Sequence, residues 1–442
     1  LMHWGPYSQW GIVESWSICP EEYDWCRRVS GSNPTDYNTY LREYEGLQRT
    51  FNPSRFDPAR WARAAREAGM KYVVFTTKHH DGFCMFDTRY TNYKVTDPSC
   101  PFSSDPRKNI AKEIFSAFRS EGLWAGAYFS KPDWHCPFYW DPRYPPRDRN
   151  VNYEPEANPE LWNRYVEFTH NQVMELLSGY GKIDILWFDG GWVAKTPKDK
   201  IVNWYRHEAE ATTNGYLKNR IVNQDIRMDE LVAKAREKQP GIIVVDRAVP
   251  GKNQNYLTPE NQVPPKPLPW PWESCIISGG GWSYTPDAKY MSGRKAIQLL
   301  IDIVAKGGNL LLNIAPSPEG EWQQGAYDLL REYAGWMKVN SEGIYGTRPL
   351  EPCREKNICM TRKDSGDTYF FYLAEENEST LPATIVIGSH QPAKGAVVTL
   401  LGSNRSLKWK PEGTGFRVEI PAALRNKPPC NYAWTVKVSG IR

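Results

Sequence analysis

Residues 182–192, KIDILWFDGGW, do most to limit what the chain can fold into. Ile183, Ile185, Leu186, Trp187 and Phe188 form a nearly continuous apolar run, the pattern of a short parallel strand buried on both faces. The run stops at Asp189, and Gly190-Gly191 follow at once, freeing the backbone for a sharp turn. In a strand-helix barrel the carboxyl end of a strand points its side chains into the active-site mouth. Asp189, flanked by Trp187, Phe188 and Trp192, is therefore placed to attack or stabilise an electron-poor carbon. Its plainer reading is the cap of a turn or of the next helix.

Comparable runs recur at 71–77 (KYVVFTT), 123–130, 241–247 (GIIVVDR), 272–278 and 309–314, after a first strand ending at His3-Trp4-Gly5. Helical patterns separate them, and are expected at 57–69, 105–122, 159–177, 225–238, 287–306 and 321–339. Alternation of this kind means a parallel sheet, and the number of units predicts a closed (β/α)8-like barrel of the TIM type. An open nucleotide-binding sheet would carry a Gly-rich phosphate loop after an early strand. Gly279-Gly280-Gly281 lacks that spacing. Past about Tyr345 the rhythm changes to short alternating runs at 368–373, 383–387, 396–401 and 433–438, which predict an all-β sandwich. The expected division is a barrel over 1–344 and a sandwich over 345–442.

Composition narrows the function. Fifty-five basic residues against 51 acidic leave a net charge of +4 without a basic run, which argues against a nucleic-acid partner. No stretch approaches the roughly 20 apolar residues of a membrane span, so a soluble chain without membrane contact is expected. The unusual feature is 19 Trp and 25 Tyr. Several, among them Trp134, Trp140, Trp270 and Trp282, sit beside Gly, Pro or charged residues, where loops are expected. Rings in loops suit the apolar face of a sugar, so the excess leans towards carbohydrate. Nine cysteines without a CxxC pair give no zinc module. Cys19 with Cys26 and Cys353 with Cys359 are the pairings worth considering, and spacing decides neither. The opening Leu1-Met2-His3 reads like the end of a strand, so an upstream segment including a signal peptide is expected, with a secreted or periplasmic location.

If the barrel closes, its strand ends bring to one mouth His3, His79, His80, Asp81, Asp133, Asp189, Asp246, Arg247, Glu273 and Asn313, with Glu260 on a loop. A two-carboxylate glycosidase needs one acid to protonate the leaving oxygen and another as nucleophile or base. The set holds more carboxylates than that. Two other readings stand beside it. His79, His80 and Asp81 with Asp189, and His3 as a further ligand, could hold a divalent metal, although adjacent histidines in a strand point to opposite faces. Alternatively the polar groups satisfy one another in a non-catalytic sugar-binding protein. Arg247 either pairs with Asp246 or holds Asp189 ionised. Glu273, at a strand start, faces either the mouth or the barrel bottom, and Glu260 is either a proton donor or a solvated loop residue.

Four motifs together resemble the α-L-fucosidases of glycoside hydrolase family 29: His3-Trp4-Gly5-Pro6-Tyr7-Ser8, Lys78-His79-His80-Asp81-Gly82-Phe83, Trp187-Phe188-Asp189-Gly190, and Trp272-Glu273 followed by Trp282-Ser283-Tyr284. The resemblance runs from the first residue to about residue 345, and the β-rich tail also fits. It implies an imperfect barrel followed by a β-sandwich, no metal or cofactor, and cleavage of fucosylated oligosaccharides or glycoconjugates with retention. It makes Asp189 the nucleophile, His3, His79 and His80 partners of fucose hydroxyls, and Tyr128, Trp187 and Arg247 further pocket residues, with Trp282 against the sugar's methyl group. The Asp246-Arg247 pair matches the branch whose acid/base lies in the following loop, which points to Glu260, with Glu273 as the alternative. Glu14-Ser15-Trp16 matches a Glu-Trp pair of the family only roughly.

Overall fold

The computed structural model describes residues 1–211, 220–403 and 405–442. In chain order its first part comprises α1 (Tyr37–Gly46), α2 (Pro58–Glu67), β1 (Tyr72–Lys78), α3 (Ile110–Ser120), β2 (Trp124–Ser130), α4 (Pro159–Gly179), β3 (Ile185–Asp189), α5 (Lys198–Ala211) and α6 (Met228–Lys238). Then follow β4 (Ile243–Asp246), β5 (Trp272–Ile277), α7 (Gly293–Ala305), β6 (Gly308–Asn313) and α8 (Gln324–Asn340).

Strands β1 to β4 form one parallel sheet in sequence order, and β5 and β6 form a second parallel pair. Two extended segments close the ring. Leu1–Met2 lies between β6 and β1: the Leu1 amino group donates to Leu312 O, Ile314 N to Leu1 O, and Met2 bridges Phe75 in parallel. On the other side residues 253–261 fill the gap between β4 and β5. Asn255 N donates to Val244 O there, and Glu273 N to Leu257 O. The result is the expected barrel, with two of its seams irregular.

The pleat decides which side chains face inwards. Val74, Tyr128, Ile185, Trp187, Val245, Cys275 and Leu311, drawn from all six strands, pack together inside the ring. Their neighbours Phe75, Phe129, Leu186, Phe188 and Val244 pack outwards, in one cluster with the helices. In β3 the inward residues are thus Ile185 and Trp187, and Asp189 continues that face at the rim.

Helix starts differ from expectation in an instructive way. α2 opens as read, with Asp57 accepting from Arg60 N at 3.0 Å and Pro58 in the first turn. Asp105 and Asp225 do not cap α3 and α6. Each accepts instead from the backbone N–H of the arginine two residues on, Arg107 at 2.7 Å and Arg227 at 2.8 Å, closing a local turn. α3 starts later, with Asn109 as its cap, and α7 starts after Ser292 rather than at 287. α1 and α5 were not anticipated. Among the described residues no helix is long and apolar enough to cross a membrane.

The remainder is antiparallel: β7 (Arg348–Glu355), β8 (Ile358–Arg362), β9 (Thr368–Leu373), β10 (Thr384–Ile387), β11 (Val398–Leu400), β12 (Trp409–Glu412), β13 (Gly415–Glu419), a short α9 (Ala422–Asn426) and β14 (Ala433–Val438). The sheets β11-β14-β9-β8-β7 and β10-β13-β12 face one another, with Phe370 of β9 edge-on to Phe416 of β13 at 5.6 Å. This module docks on α8, where Trp336 Nε1 donates to Ala433 O and Thr435 Oγ1 to Asn340 Oδ1. All nine cysteines are unpaired in this structure. In the β7–β8 hairpin Arg354, not Cys353, lies opposite Cys359, so that pair is out of register.

Two buried ion pairs tie strand ends together beneath the mouth. Lys78 Nζ meets Asp133 at 2.9 Å and Lys131 Nζ meets Asp246 at 2.6 Å, all four side chains being almost wholly inaccessible. Asp133 and Asp246, both expected at the mouth, are therefore spent on structure. Removing one partner leaves an uncompensated buried charge. Lys78→Met is expected to cost about 3–5 kcal/mol of unfolding free energy. An unchanged urea midpoint and slope would show that the pair contributes nothing.

Candidate active site

The mouth at the carboxyl ends of the strands opens into a cavity of about 440 Å³. Another cavity of about 710 Å³ lies at the strand starts, by Leu1, Tyr72 and Trp322, and among the described residues its lining carries no carboxylate. The chemistry is at the first. Its wall includes His3, His79, His80, Tyr128, Trp187, Asp189, Arg247, Glu260 and Trp282, so nine of the ten residues given roles by the family resemblance converge there.

Asp189 ends β3, and Gly190 turns the chain away with φ 88°, where a Cβ would come within 2.3 Å of Pro132 Cδ. Tyr128 Oη donates to Asp189 Oδ2 at 2.8 Å and Arg247 Nη1 to Oδ1 at 3.1 Å. Burial alone would push the Asp189 carboxyl up. The Arg247 charge, with His80, the Tyr128 hydroxyl and the Gly190 N–H, overrides it and holds Asp189 well below the usual carboxylate range. The other arm of the same guanidinium, Nη2, grips Glu260 Oε2. Glu260 Oε1 accepts from Trp282 Nε1 at 3.1 Å. One arginine therefore joins both carboxylates, and the plain alternative, an Arg247–Asp246 pair, is set aside because Asp246 faces Lys131.

Asn313, at the end of β6, donates to Trp282 O at 2.8 Å and so holds the loop that presents the indole. Strand β1 ends at Lys78, so His79 and His80 escape strand alternation and both face the cavity, their rings stacked at 4.1 Å. His3 meets His79 edge-on at 4.5 Å. Burial and neighbouring imidazoles hold His3 and His79 well below their ordinary range, and burial first of all pulls His80 to about 3. All three are neutral near pH 7. His3 Nδ1 contacts Tyr7 Oη at 3.0 Å and His79 Nδ1 contacts Ser15 Oγ at 2.5 Å, while the buried His80 Nδ1 has no partner.

Three expectations need correction. Glu273 is not at the mouth: it is an inward residue low in β5, buried in the barrel's lower half. It accepts there from Tyr72, from Trp187 Nε1 at 3.1 Å and from Tyr256 at 3.4 Å. It supports Trp187 from below and reaches no leaving group. Asp81 is likewise absent from the cavity wall, because it accepts from Tyr44 Oη at 2.8 Å and from Phe83 N. Glu14 and Trp16, discounted for imperfect spacing, do line the cavity. Glu14 is 2 % exposed, one of its oxygens lacks a partner, and its carboxyl is pushed up to about 8 by burial, then by Glu260 and Asp189. Arg149 and Trp192 also line the wall, with the guanidinium over the Trp16 ring at 4.8 Å and over Trp192 at 5.2 Å. Arg149 comes from a loop remote in sequence, and nothing local signals it.

Atoms of His79, His80 and Asp189 lie within 4.8 Å of one another, the spacing of a metal site. The donor set disfavours one. Both Asp189 oxygens are already engaged, and a dication there would sit against the Arg247 cation.

The model of the alpha-L-fucosidase family matches residues 1–342, and that of the alpha-L-fucosidase C-terminal domain matches residues 353–439. The chain belongs to the alpha-L-fucosidase family. An alpha-L-fucosidase of Branchiostoma floridae is 25% identical over 460 residues, covering 100% of this chain and 91% of the relative. The human tissue alpha-L-fucosidase is also 25% identical, covering 100% of this chain and 87% of the relative. Among solved structures, alpha-L-fucosidase isoenzyme 1 from Paenibacillus thiaminolyticus superposes with a TM-score of 0.75 at 29% identity, covering 100% of this chain and 96% of that one. Within this fucosidase fold the three imidazoles are expected to stay neutral. Side-chain nitrogen shifts recorded by NMR between pH 5 and 8 should show no titration of His3, His79 or His80. A midpoint near the ordinary value of about 6.5 would refute their desolvation.

Proposed function

We propose that the chain is a retaining, exo-acting alpha-L-fucosidase that removes terminal alpha-L-fucosyl groups from fucosylated oligosaccharides or glycoconjugates. One observation carries the assignment of roles: a single guanidinium joins Asp189, at a barrel strand end, to Glu260 across the cavity. Asp189, kept ionised by Arg247 and Tyr128, attacks the anomeric carbon as Glu260 gives its proton to the departing oxygen. Asp189 thereby becomes an ester and loses its charge. The whole of the Arg247 charge then faces Glu260, as befits the carboxylate that must take a proton from water in the second step.

Selectivity rests on the neutral groups. His3, His79, His80 and protonated Glu14 offer donors and acceptors to ring hydroxyls without adding charge. A site built to pair a hydroxyl rejects sugars that lack it. Trp282 presents an apolar ring to the methyl group of the deoxysugar, and Trp187, held from below by Glu273, supplies a floor.

Asp189→Gly is expected to lower turnover of nitrophenyl fucoside by several orders of magnitude with the fold intact, and azide to restore part of it. Near-normal rates would remove the nucleophile. Glu260→Ala should slow natural fucosides by about 10²–10⁴-fold and spare substrates whose leaving groups need no proton. Equal losses on both would reassign the acid. For Glu14 the sign follows from its raised value: below about 8 it is a neutral acid, and above it ionises beside two carboxylates. Glu14→Gln, which mimics the neutral acid, should therefore retain more kcat/KM than Glu14→Ala, whose loss is expected at about 1–3 kcal/mol. It should also weaken the alkaline fall of activity near pH 8. The reverse ranking would mean that Glu14 works as an anion.

A further inference from the structure

Outside the catalytic constellation the structure brings two cysteines together at the root of the cavity's outer wall. Cys19 follows the turn Ser15–Ile18 and Cys26 ends the turn Asp24–Cys26. Both side chains are buried and their sulfurs lie within 4.8 Å of one another. Between them Glu21 completes what resembles a metal cluster. It is not free to ligate, however, since both of its oxygens accept from Arg149, at 2.8 and 3.0 Å to Nε.

The segment framed by the cysteines bears on the pocket from two sides. Through Glu21 it fixes Arg149, which lies over Trp16 and Trp192 in the cavity wall. Through Trp25, stacked on Tyr23 at 4.5 Å and nearly parallel, it supplies a ring that lines the cavity while remaining 46% exposed. A ring both at the pocket and open to solvent is where the part of a substrate beyond the cleaved sugar would rest. Short turns bonded within themselves, Cys26 N to Tyr23 O and Arg27 N to Asp24 O, hold the segment.

We propose that Cys19 and Cys26 form a disulfide that staples this segment and fixes Trp25 as the platform for the aglycone. The bond stands without the functional reading, and only the platform rests on it. With a small disulfide such as oxidised glutathione as oxidant, the Cys26 thiolate attacks one sulfur and releases one glutathione thiolate. The Cys19 sulfur, giving up its proton, then displaces the second from the mixed disulfide. The cysteine pair loses two electrons and two protons, and the oxidant leaves as two thiols. Burial means that the bond closes as the segment folds, which suits the secreted or periplasmic location expected above.

The test uses the full chain refolded with oxidised glutathione and, separately, kept in dithiothreitol. Alkylation in denaturant followed by peptide mapping should show Cys19 joined to Cys26 in the first sample and both alkylated in the second. Oxidation should raise the melting temperature by several degrees. It should also raise kcat/KM several-fold on fucosylated trisaccharides while leaving fucosyl fluoride, which has no aglycone, unchanged. Cys19→Ser should behave like the reduced wild type in both preparations. Free thiols at both positions after oxidative refolding, or a bond to another cysteine, would overturn the staple. Equal trisaccharide kinetics in the two forms would overturn the platform. Absence of hydrolysis in every form would instead refute the functional reading and leave the mapping to decide the bond.

Discussion

A cation shared between two acids organises this molecule's chemistry. Arg247 leaves the end of β4 and extends one arm to Asp189 and the other to Glu260. The planar guanidinium serves here in a way an ammonium cannot, because its donors are fixed in a fork of constant width. Two carboxylates in one cleft repel each other, and burial of Asp189 without a cation would favour its protonated form. The arginine removes that conflict by pairing with both, and it holds Asp189 well below the usual carboxylate range. The Trp187 ring lies 5.4 Å from the guanidinium carbon, so the cation is also held over an apolar floor.

Such a fork is useful only if its base does not move, and the buried pairs below it meet that need. Lys131–Asp246 joins the end of β2 to the residue preceding Arg247, while Lys78–Asp133 joins the end of β1 to the loop after β2. Buried ion pairs are poor sources of stability compared with packed apolar groups. They are directional, however, and these two fix strand ends whose next residues are His79, His80 and Arg247. Their placement suits positional control better than stability.

Much of this was legible from residue order alone. The apolar run ending in Asp189 gave both strand and rim, because inward and outward positions alternate in a strand and Asp189 shares a face with Trp187. The reading failed where two local signals compete. The helices expected from Asp105 and Asp225 begin later, because each aspartate instead accepts from the N–H of the arginine two residues on. Glu273, at a strand start, reads equally as a mouth or a barrel-bottom residue, and it takes the second place. Its level in the barrel depends on how β5 pairs with β6 and with residues 253–261, a register no single strand encodes. Glu14 was discounted for an extra residue before Trp16. The turn Ser15–Ile18 absorbs that residue, and Ser15 uses it to meet His79.

The barrel's two irregular seams are also where the site departs from strand periodicity. Regular parallel strands deliver side chains to a mouth only at their ends, at a spacing set by the sheet. His3 comes from the segment between β6 and β1, and Glu260 from the segment between β4 and β5, neither being part of a regular strand. A strand in either place would have held its residue to the common pleat. A loosely paired segment, bridged to β5 at Cys275, instead lets Glu260 reach the guanidinium that also holds Asp189. The break in the sheet thus allows a carboxylate from a strand end and one from an irregular segment to share one arginine, a geometry that strand periodicity alone does not supply.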